Sequence, residues 1–114
     1  MSPITTHVLD TSRGKPAASV PVVLSHRAPD GTYTELGRGQ TDGNGRLQDL
    51  LPADQRIQAG VYRLVFDVAE YFRTYGIPAF FPEVSVLFHI RDPEQHHHVP
   101  LLLAPYGYST YRGS

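Results

Sequence analysis

The chain has 114 residues, of which 40% are hydrophobic and 18% are charged, so it can form a globular protein with an apolar core. We expect residues 1–114 to form one domain, because two domains of half this length would bury little apolar surface. A formal net charge of -1 argues against nucleic acid or an anionic membrane as the main partner, since both require clustered Lys and Arg. Cysteine is absent, which excludes disulfides and thiolate metal sites.

The amino-terminal stretch MSPITTHVLD lacks the pattern of a secretory signal, because no basic start is followed by a long apolar segment. No apolar run along the chain has the length needed to cross a membrane. We therefore expect a cytoplasmic protein, and an export signal removed earlier stays an open alternative.

Glycine and proline divide the chain into short segments, a pattern typical of an all-β domain. Runs of β-branched and apolar residues predict strands over 4–10, 19–26, 32–40, 46–50, 60–68, 83–90, 95–103 and 108–112. The turn signals between them include Pro29-Asp30-Gly31 and Asp42-Gly43-Asn44-Gly45. About eight strands with turns at this spacing predict a β-sandwich or a small barrel.

One short helix is predicted over 69–75. Asp67 or a neighbour can cap its first turn, and Gly76 and Pro78 would end it. The polar segment 52–58 could carry one further turn of helix.

The chain has six histidines, and three of them follow one another at positions 96–98. On a strand, alternate side chains share a face, so His96 and His98 point one way and His97 the other. Imidazole is the commonest zinc ligand, so His96 and His98 could form half of a metal site, with His7 as a third ligand. A solvated or internally hydrogen-bonded histidine cluster is the alternative, and the residues alone leave both interpretations open.

Other site patterns fail on spacing. The turn after Asp42 begins like a calcium loop, but Arg46 and Ala53 stand where an EF-hand needs an oxygen ligand and a glutamate. From residue chemistry alone, the best candidate site joins His7, His98 and Arg46 with the tail tyrosines, since such groups can activate water and stabilise an oxyanion. Arginines scattered in this way are more often exposed residues at the start of a strand, so function stays open at this point.

Three segments have a distinctive sequence that can be compared with known families. They are His7-Val8-Leu9-Asp10, Asp42-Gly43-Asn44-Gly45-Arg46, and HVPLLL at 98–103 running into the terminal PYGYSTYRGS. In these segments the chain resembles the transthyretin-related 5-hydroxyisourate hydrolase family, over essentially its whole length. The resemblance implies an all-β, transthyretin-like (prealbumin-like) sandwich of two four-stranded sheets with one short helix. It also implies a homotetramer, a dimer of dimers, around a central channel.

The chain is similar to transthyretin itself as well, a hormone carrier with the same fold. The carrier has lysine at the position of His7, an acidic residue at that of Arg46 and threonine at that of His98. At all three positions this chain therefore resembles the enzyme more than the carrier. A carrier of small aromatic ligands without turnover is the alternative function, and a monomeric structural or adhesion sandwich belongs to a third class.

The resemblance implies an enzyme of urate breakdown, in which water opens the six-membered lactam of 5-hydroxyisourate to give 2-oxo-4-hydroxy-4-carboxy-5-ureidoimidazoline. The catalytic residues that it implies are His7, Arg46 and His98. The histidines would activate the water, and the arginine would hold the substrate anion or the developing oxyanion. The substrate-binding residues that it implies are His7, Arg46, Tyr111, Arg112 and Ser114. We expect no metal and no cofactor, and which histidine takes the proton is left open.

Overall fold

The computed structural model describes residues 2–114, and in that range it has nine β-strands and one α-helix. The strands are β1 Ile4–Asp10, β2 Lys15–Pro16, β3 Pro21–Arg27, β4 Tyr33–Gln40, β5 Arg46–Leu47, β6 Gly60–Phe66, β7 Val84–Ile90, β8 His97–Ala104 and β9 Gly107–Thr110. The helix α1, Val68–Thr74, lies between β6 and β7. Each predicted strand is present, whereas β2 was not predicted. Residues 2–114 contain no helix that is long and apolar enough to cross a membrane.

The strands form two sheets. One has the order β4-β3-β6-β7, and the other has the order β2-β1-β8-β9, with β5 also paired to β1. The all-β sandwich is therefore confirmed, but four strands in each sheet is right only for the first. The second sheet has five strands because β2 and β5 pair with opposite halves of the same edge of β1, at 9–10 and 6–7. On its other edge β1 runs parallel to β8.

One apolar core fills the space between the sheets. In β8 the side chains of Val99, Leu101 and Leu103 are buried in it, and each such burial stabilises the fold by about 1.5–3 kcal/mol. Because successive side chains of a strand alternate, His98 and its neighbours at 100 and 102 are forced onto the outer face of the five-stranded sheet. Burial of the core thus decides which side chains that outer face carries.

The helix has the cap that the sequence predicts. A carboxylate oxygen of Asp67 accepts a hydrogen bond from the backbone N–H of Glu70 at 3.2 Å. The predicted helical turn over 52–58 is wrong. In that segment Gln55 N–H donates to the Pro52 carbonyl at 3.0 Å and closes one β-turn, and residues 52–58 contain no helix.

A buried carboxylate ties the helix to the end of β1. Asp10 is fully buried, and its Oδ2 accepts a hydrogen bond from the Tyr71 hydroxyl at 2.7 Å. Its Oδ1 accepts from the backbone N–H and the hydroxyl of Ser12, at 3.0 and 2.6 Å. Burial, and then the bond to Asp10, raise the pKa of Tyr71. The phenol therefore stays protonated as the donor, and β1 is anchored at the end beyond His7.

Replacing Tyr71 with Phe leaves Oδ2 of the buried Asp10 without its donor. We expect Tyr71→Phe to lower the free energy of unfolding by about 1–3 kcal/mol, measured by urea denaturation. The matched control is Tyr106→Phe, which removes a hydroxyl from a side chain that is 72% exposed and should change stability by less than about 0.5 kcal/mol. Equal losses in the two variants would contradict a stabilising role for this contact.

Candidate active site

The backbone register brings three of the predicted site residues together. Between β1 and β8, Thr5 pairs with His98 and His7 pairs with Pro100, while on the other edge of β1 His7 pairs with Arg46. Residues paired directly across strands have their side chains on the same face of a sheet. His7, Arg46 and His98 are therefore neighbours on the outer face of the five-stranded sheet.

Arg46 is delivered to this face by a tight turn. The Asp42 carboxylate accepts backbone hydrogen bonds from Asn44 at 2.8 Å and from Arg46 at 2.9 Å. The bond from Arg46 and then that from Asn44 lower the pKa of Asp42, so its carboxylate stays ionised and holds the turn closed. This acid serves the turn itself, consistent with the failure of the calcium-loop pattern in the sequence.

The turn also lies directly against β1. Val8 N–H donates to the Gly45 carbonyl at 2.7 Å. Gly45 has φ +77°, and a Cβ there would collide with the Val8 carbonyl oxygen. Only glycine allows both this conformation and this close approach. The contact sets how near Arg46 comes to its neighbours on β1.

The same turn orients the His7 ring. Nε2 of His7 lies 3.0 Å from the Asn44 carbonyl oxygen. A carbonyl oxygen only accepts hydrogen bonds, so Nε2 carries the proton that is donated. In the neutral ring, Nδ1 is then the unprotonated nitrogen.

His98 is held on two sides. Its Nδ1 lies 2.8 Å from the Thr5 hydroxyl, and its carbonyl oxygen accepts from Gly113 N–H at 2.8 Å. Burial lowers the pKa of His98, and the nearby His7, His96 and Arg46 lower it further. The ring is therefore neutral at neutral pH and can accept a proton.

Arg46 is exposed, and its guanidinium has no hydrogen-bond partner within residues 2–114. A guanidinium offers five N–H donors in a planar fork, which suits a carboxylate or a delocalised anion. The face therefore combines a proton acceptor with a group that can bind an anion.

The carboxy-terminal tail reaches this face through Gly113. The residue forms a bridge with His98, and a Cβ added to it would lie 2.6 Å from Cδ2 of His98 and 3.2 Å from Cγ of Pro100. The imidazole thus packs directly on the Gly113 backbone. A side chain at this position would displace either the ring or the tail.

The other predicted tail residues lie elsewhere in the single chain. Arg112 donates to the side-chain carbonyl of Gln95 at 3.1 Å, and Ser114 is exposed at the end of the chain. Tyr111 and Arg112 line a cavity of about 240 Å³ at the sandwich edge, together with β7 residues and His97. Neither side chain hydrogen-bonds to the three outer-face residues among the described positions.

The histidine run divides as strand alternation predicts. His97 is buried on the inner side, its Nδ1 donates to the Gln95 carbonyl at 3.0 Å, and burial lowers its pKa. His96 lies outside, where its Nε2 is 3.0 Å from the Thr5 hydroxyl. In residues 2–114 no group of three or more His, Asp or Glu side chains is placed to hold a metal ion.

Sequence reasoning missed two residues that contact His98, namely Thr5 and Gly113. The signal for Thr5 was available, because it stands two positions before His7 and so faces the same way on β1. No local signal marks Gly113, since its role depends on the tail returning alongside β8.

The architecture and this face define a transthyretin-like β-sandwich with two histidines and an arginine on the outer side of one sheet. The sequence profile of the HIUase/Transthyretin family matches residues 4–113, and the chain belongs to that family.

Individual relatives agree with this assignment. A 5-hydroxyisourate hydrolase of Salmonella dublin is 46% identical over 111 residues, covering 97% of this chain and 80% of the relative. The crystal structure of sea bream transthyretin in complex with thyroxine superposes with a TM-score of 0.90 at 33% identity, covering 97% of this chain and 94% of that one. The structure of Klebsiella pneumoniae 5-hydroxyisourate hydrolase gives a TM-score of 0.86 at 35% identity, with both chains fully covered.

The electrostatics of the face can be measured directly by NMR titration of the histidine rings. We expect His98 to titrate below pH 6.5, because burial and neighbouring positive charge disfavour its protonated form. Arg46→Gln should raise the pKa of His98, since it removes one of those charges. The matched control Arg27→Gln changes an exposed arginine in the other sheet and should leave that pKa unchanged. A His98 pKa at or above 6.5 would contradict this account of the site.

Proposed function

We propose that this protein is a 5-hydroxyisourate hydrolase and that the outer face of the five-stranded sheet is its active site. The observation that carries the proposal is the register that aligns His7 with Arg46 on one edge of β1 and Thr5 with His98 on the other. Relatives that bear the enzyme's name, at about 46% identity, support the assignment of the substrate.

The proposed reaction begins with a water molecule near His98. The neutral imidazole takes a proton from the water as its oxygen bonds to the lactam carbonyl carbon. Arg46 stabilises the oxyanion that forms on the carbonyl oxygen. The carbon–nitrogen bond then breaks as the imidazolium returns its proton to the leaving nitrogen, and the carboxylic acid that forms releases its remaining proton to solvent and becomes a carboxylate. A general base contributes about 10²–10⁴-fold to such a rate and an oxyanion donor about 10²–10³-fold.

His7 would position the reactants. Its Nε2–H is occupied by the Asn44 carbonyl, which leaves Nδ1 as an acceptor for the water or for a substrate N–H. We assign the proton acceptor to His98, because its lowered pKa keeps the ring unprotonated at neutral pH and its Nε2 has no hydrogen-bond partner among residues 2–114.

We also propose that the working protein is a cytoplasmic homotetramer, a dimer of dimers, built from one domain over residues 1–114. The site lies on an open face, whereas electrostatic stabilisation of a transition state is strongest where water is excluded. A second copy placed over this face would exclude water from it. In that assembly Tyr111, Arg112 and Ser114 would bind the substrate at the edge of the enclosed space.

Carriage of a small aromatic ligand without turnover is the second candidate, favoured by the close superposition on a transthyretin that binds thyroxine. A carrier needs no proton acceptor beside an anion-binding group. The arrangement of His98 and Arg46 favours catalysis, and measurement of turnover separates the two functions.

The direct test is an ultraviolet assay of freshly made 5-hydroxyisourate, comparing its decay with and without the protein. We expect catalysed decay, and a loss of about 100-fold or more in kcat/KM for Arg46→Gln, because an oxyanion donor is removed. Arg27→Gln is the control and should keep full activity. Ligand binding without faster decay would contradict the proposed enzyme and favour the carrier.

The tail contact gives a second test of the site. Gly113→Ala should lower kcat by roughly 10- to 100-fold, because its methyl group displaces the His98 ring from its productive position. Gly107→Ala is the matched control, since a Cβ there meets no atom within 4 Å. Full activity in Gly113→Ala would show that the tail does not position His98.

A further inference from the structure

The hydroxyl of Thr5 links two imidazoles. Its Oγ1 lies 2.8 Å from Nδ1 of His98 and 3.0 Å from Nε2 of His96. The two rings are stacked, with centroids 6.4 Å apart and planes 18° from parallel. Thr5 is only 2% exposed, so its hydroxyl is shielded from bulk water. Thr5 lies in β1, His98 lies near the start of β8, and His96 immediately precedes β8.

Proton counting restricts what this cluster can do. A hydroxyl carries one proton and can also accept, while each neutral ring nitrogen either donates a proton or accepts one. If Nδ1 of His98 donates to Thr5, then the hydroxyl proton can go to Nε2 of His96. If His96 donates instead, the hydroxyl donates to Nδ1 of His98, whose own proton must then lie on Nε2. The hydroxyl thus couples the tautomers of the two histidines.

We propose that Thr5 is a positioning residue that holds His98 as the Nδ1–H tautomer, with His96 accepting the Thr5 proton. Nε2 of His98 then has a free lone pair and is the atom that takes the proton from water. The inference rests on the proposed hydrolase function and assigns that reaction to one nitrogen of one ring.

Two features favour this direction of the hydrogen bonds. When Nε2 takes a proton, the imidazolium still donates from Nδ1 to Thr5, so the contact does not rearrange during the reaction. Burial lowers the pKa of His98, and the groups that face it, which are His7 from β1, His96 and Arg46 from β5, lower it further, so the ring is neutral before the water arrives. Nε2 has no hydrogen-bond partner among residues 2–114, so it is free to meet the water.

The decisive measurement is the ring ¹⁵N NMR spectrum of the full-length protein at a pH where both histidines are neutral. In the unmodified protein we expect His98 with a protonated Nδ1 and an unprotonated Nε2, and His96 with an unprotonated Nε2. Thr5→Val, which keeps the side-chain shape without the hydroxyl, should shift His98 toward the Nε2–H tautomer. Thr5→Ser should restore the original pattern. A dominant Nε2–H form of His98 in the unmodified protein, or an unchanged spectrum in Thr5→Val, would overturn the proposal.

Kinetics provide the matching functional readout. Thr5→Val should lower kcat about tenfold with KM changed by less than about twofold, and Thr5→Ser should recover most of the loss. The control is Thr6→Val in the same strand. It removes a buried hydroxyl that donates to the Val99 carbonyl at 2.6 Å, on the face of the sheet opposite to the His98 ring. An equal loss of kcat in Thr6→Val would show a purely structural role and overturn the proposal.

The two measurements separate the proposals. The NMR spectrum requires no substrate, so it decides the role of Thr5 even if 5-hydroxyisourate proves not to be the substrate. Conversely, rapid turnover by a protein whose His98 carries its proton on Nε2 would support the hydrolase and reject the positioning role.

Discussion

The packing of the Asp42–Arg46 turn against β1 is the contact on which the candidate site depends. It places Arg46 opposite His7, gives the His7 ring its hydrogen-bond acceptor, and leaves no room for a side chain at Gly45. These contacts are made by the backbone of the turn, and the Asp42 carboxylate holds that turn closed. The turn therefore presents a cation and a fixed imidazole without drawing on any other charged group of the protein.

The second constraint is the buried core beneath the same sheet. Because the inner side chains of β8 are committed to that core, the alternate positions must face outward, and His98 is among them. Parallel pairing of β1 with β8 then sets Thr5 beside His98, while the Asp10–Tyr71 contact fixes the far end of β1. Stability and the proposed chemistry thus share the two central strands, with the core on one face and the candidate site on the other.

Much of this could be predicted from the sequence, because it follows from local patterns. Alternation and turn residues give the strands and the sandwich, Asp67 gives the helix cap, and spacing separates His97 from its two neighbours. The five-stranded sheet was missed because β2 has two residues, which is too short for any periodic signal, and because no local pattern shows that the predicted strand at β5 pairs with β1. The contacts of Thr5 and Gly113 with His98 were missed because they join segments about 90 and 15 residues apart, respectively.

Co-crystallisation with urate, a stable bicyclic anion similar to 5-hydroxyisourate, will show whether the outer face carrying Arg46 and His98 is the substrate-binding site. We expect urate within hydrogen-bond distance of the Arg46 guanidinium and of Nε2 of His98, with a second copy of the chain covering the face. Urate bound instead in the edge cavity beside His97 and Tyr111, with the outer face empty, would contradict this expectation.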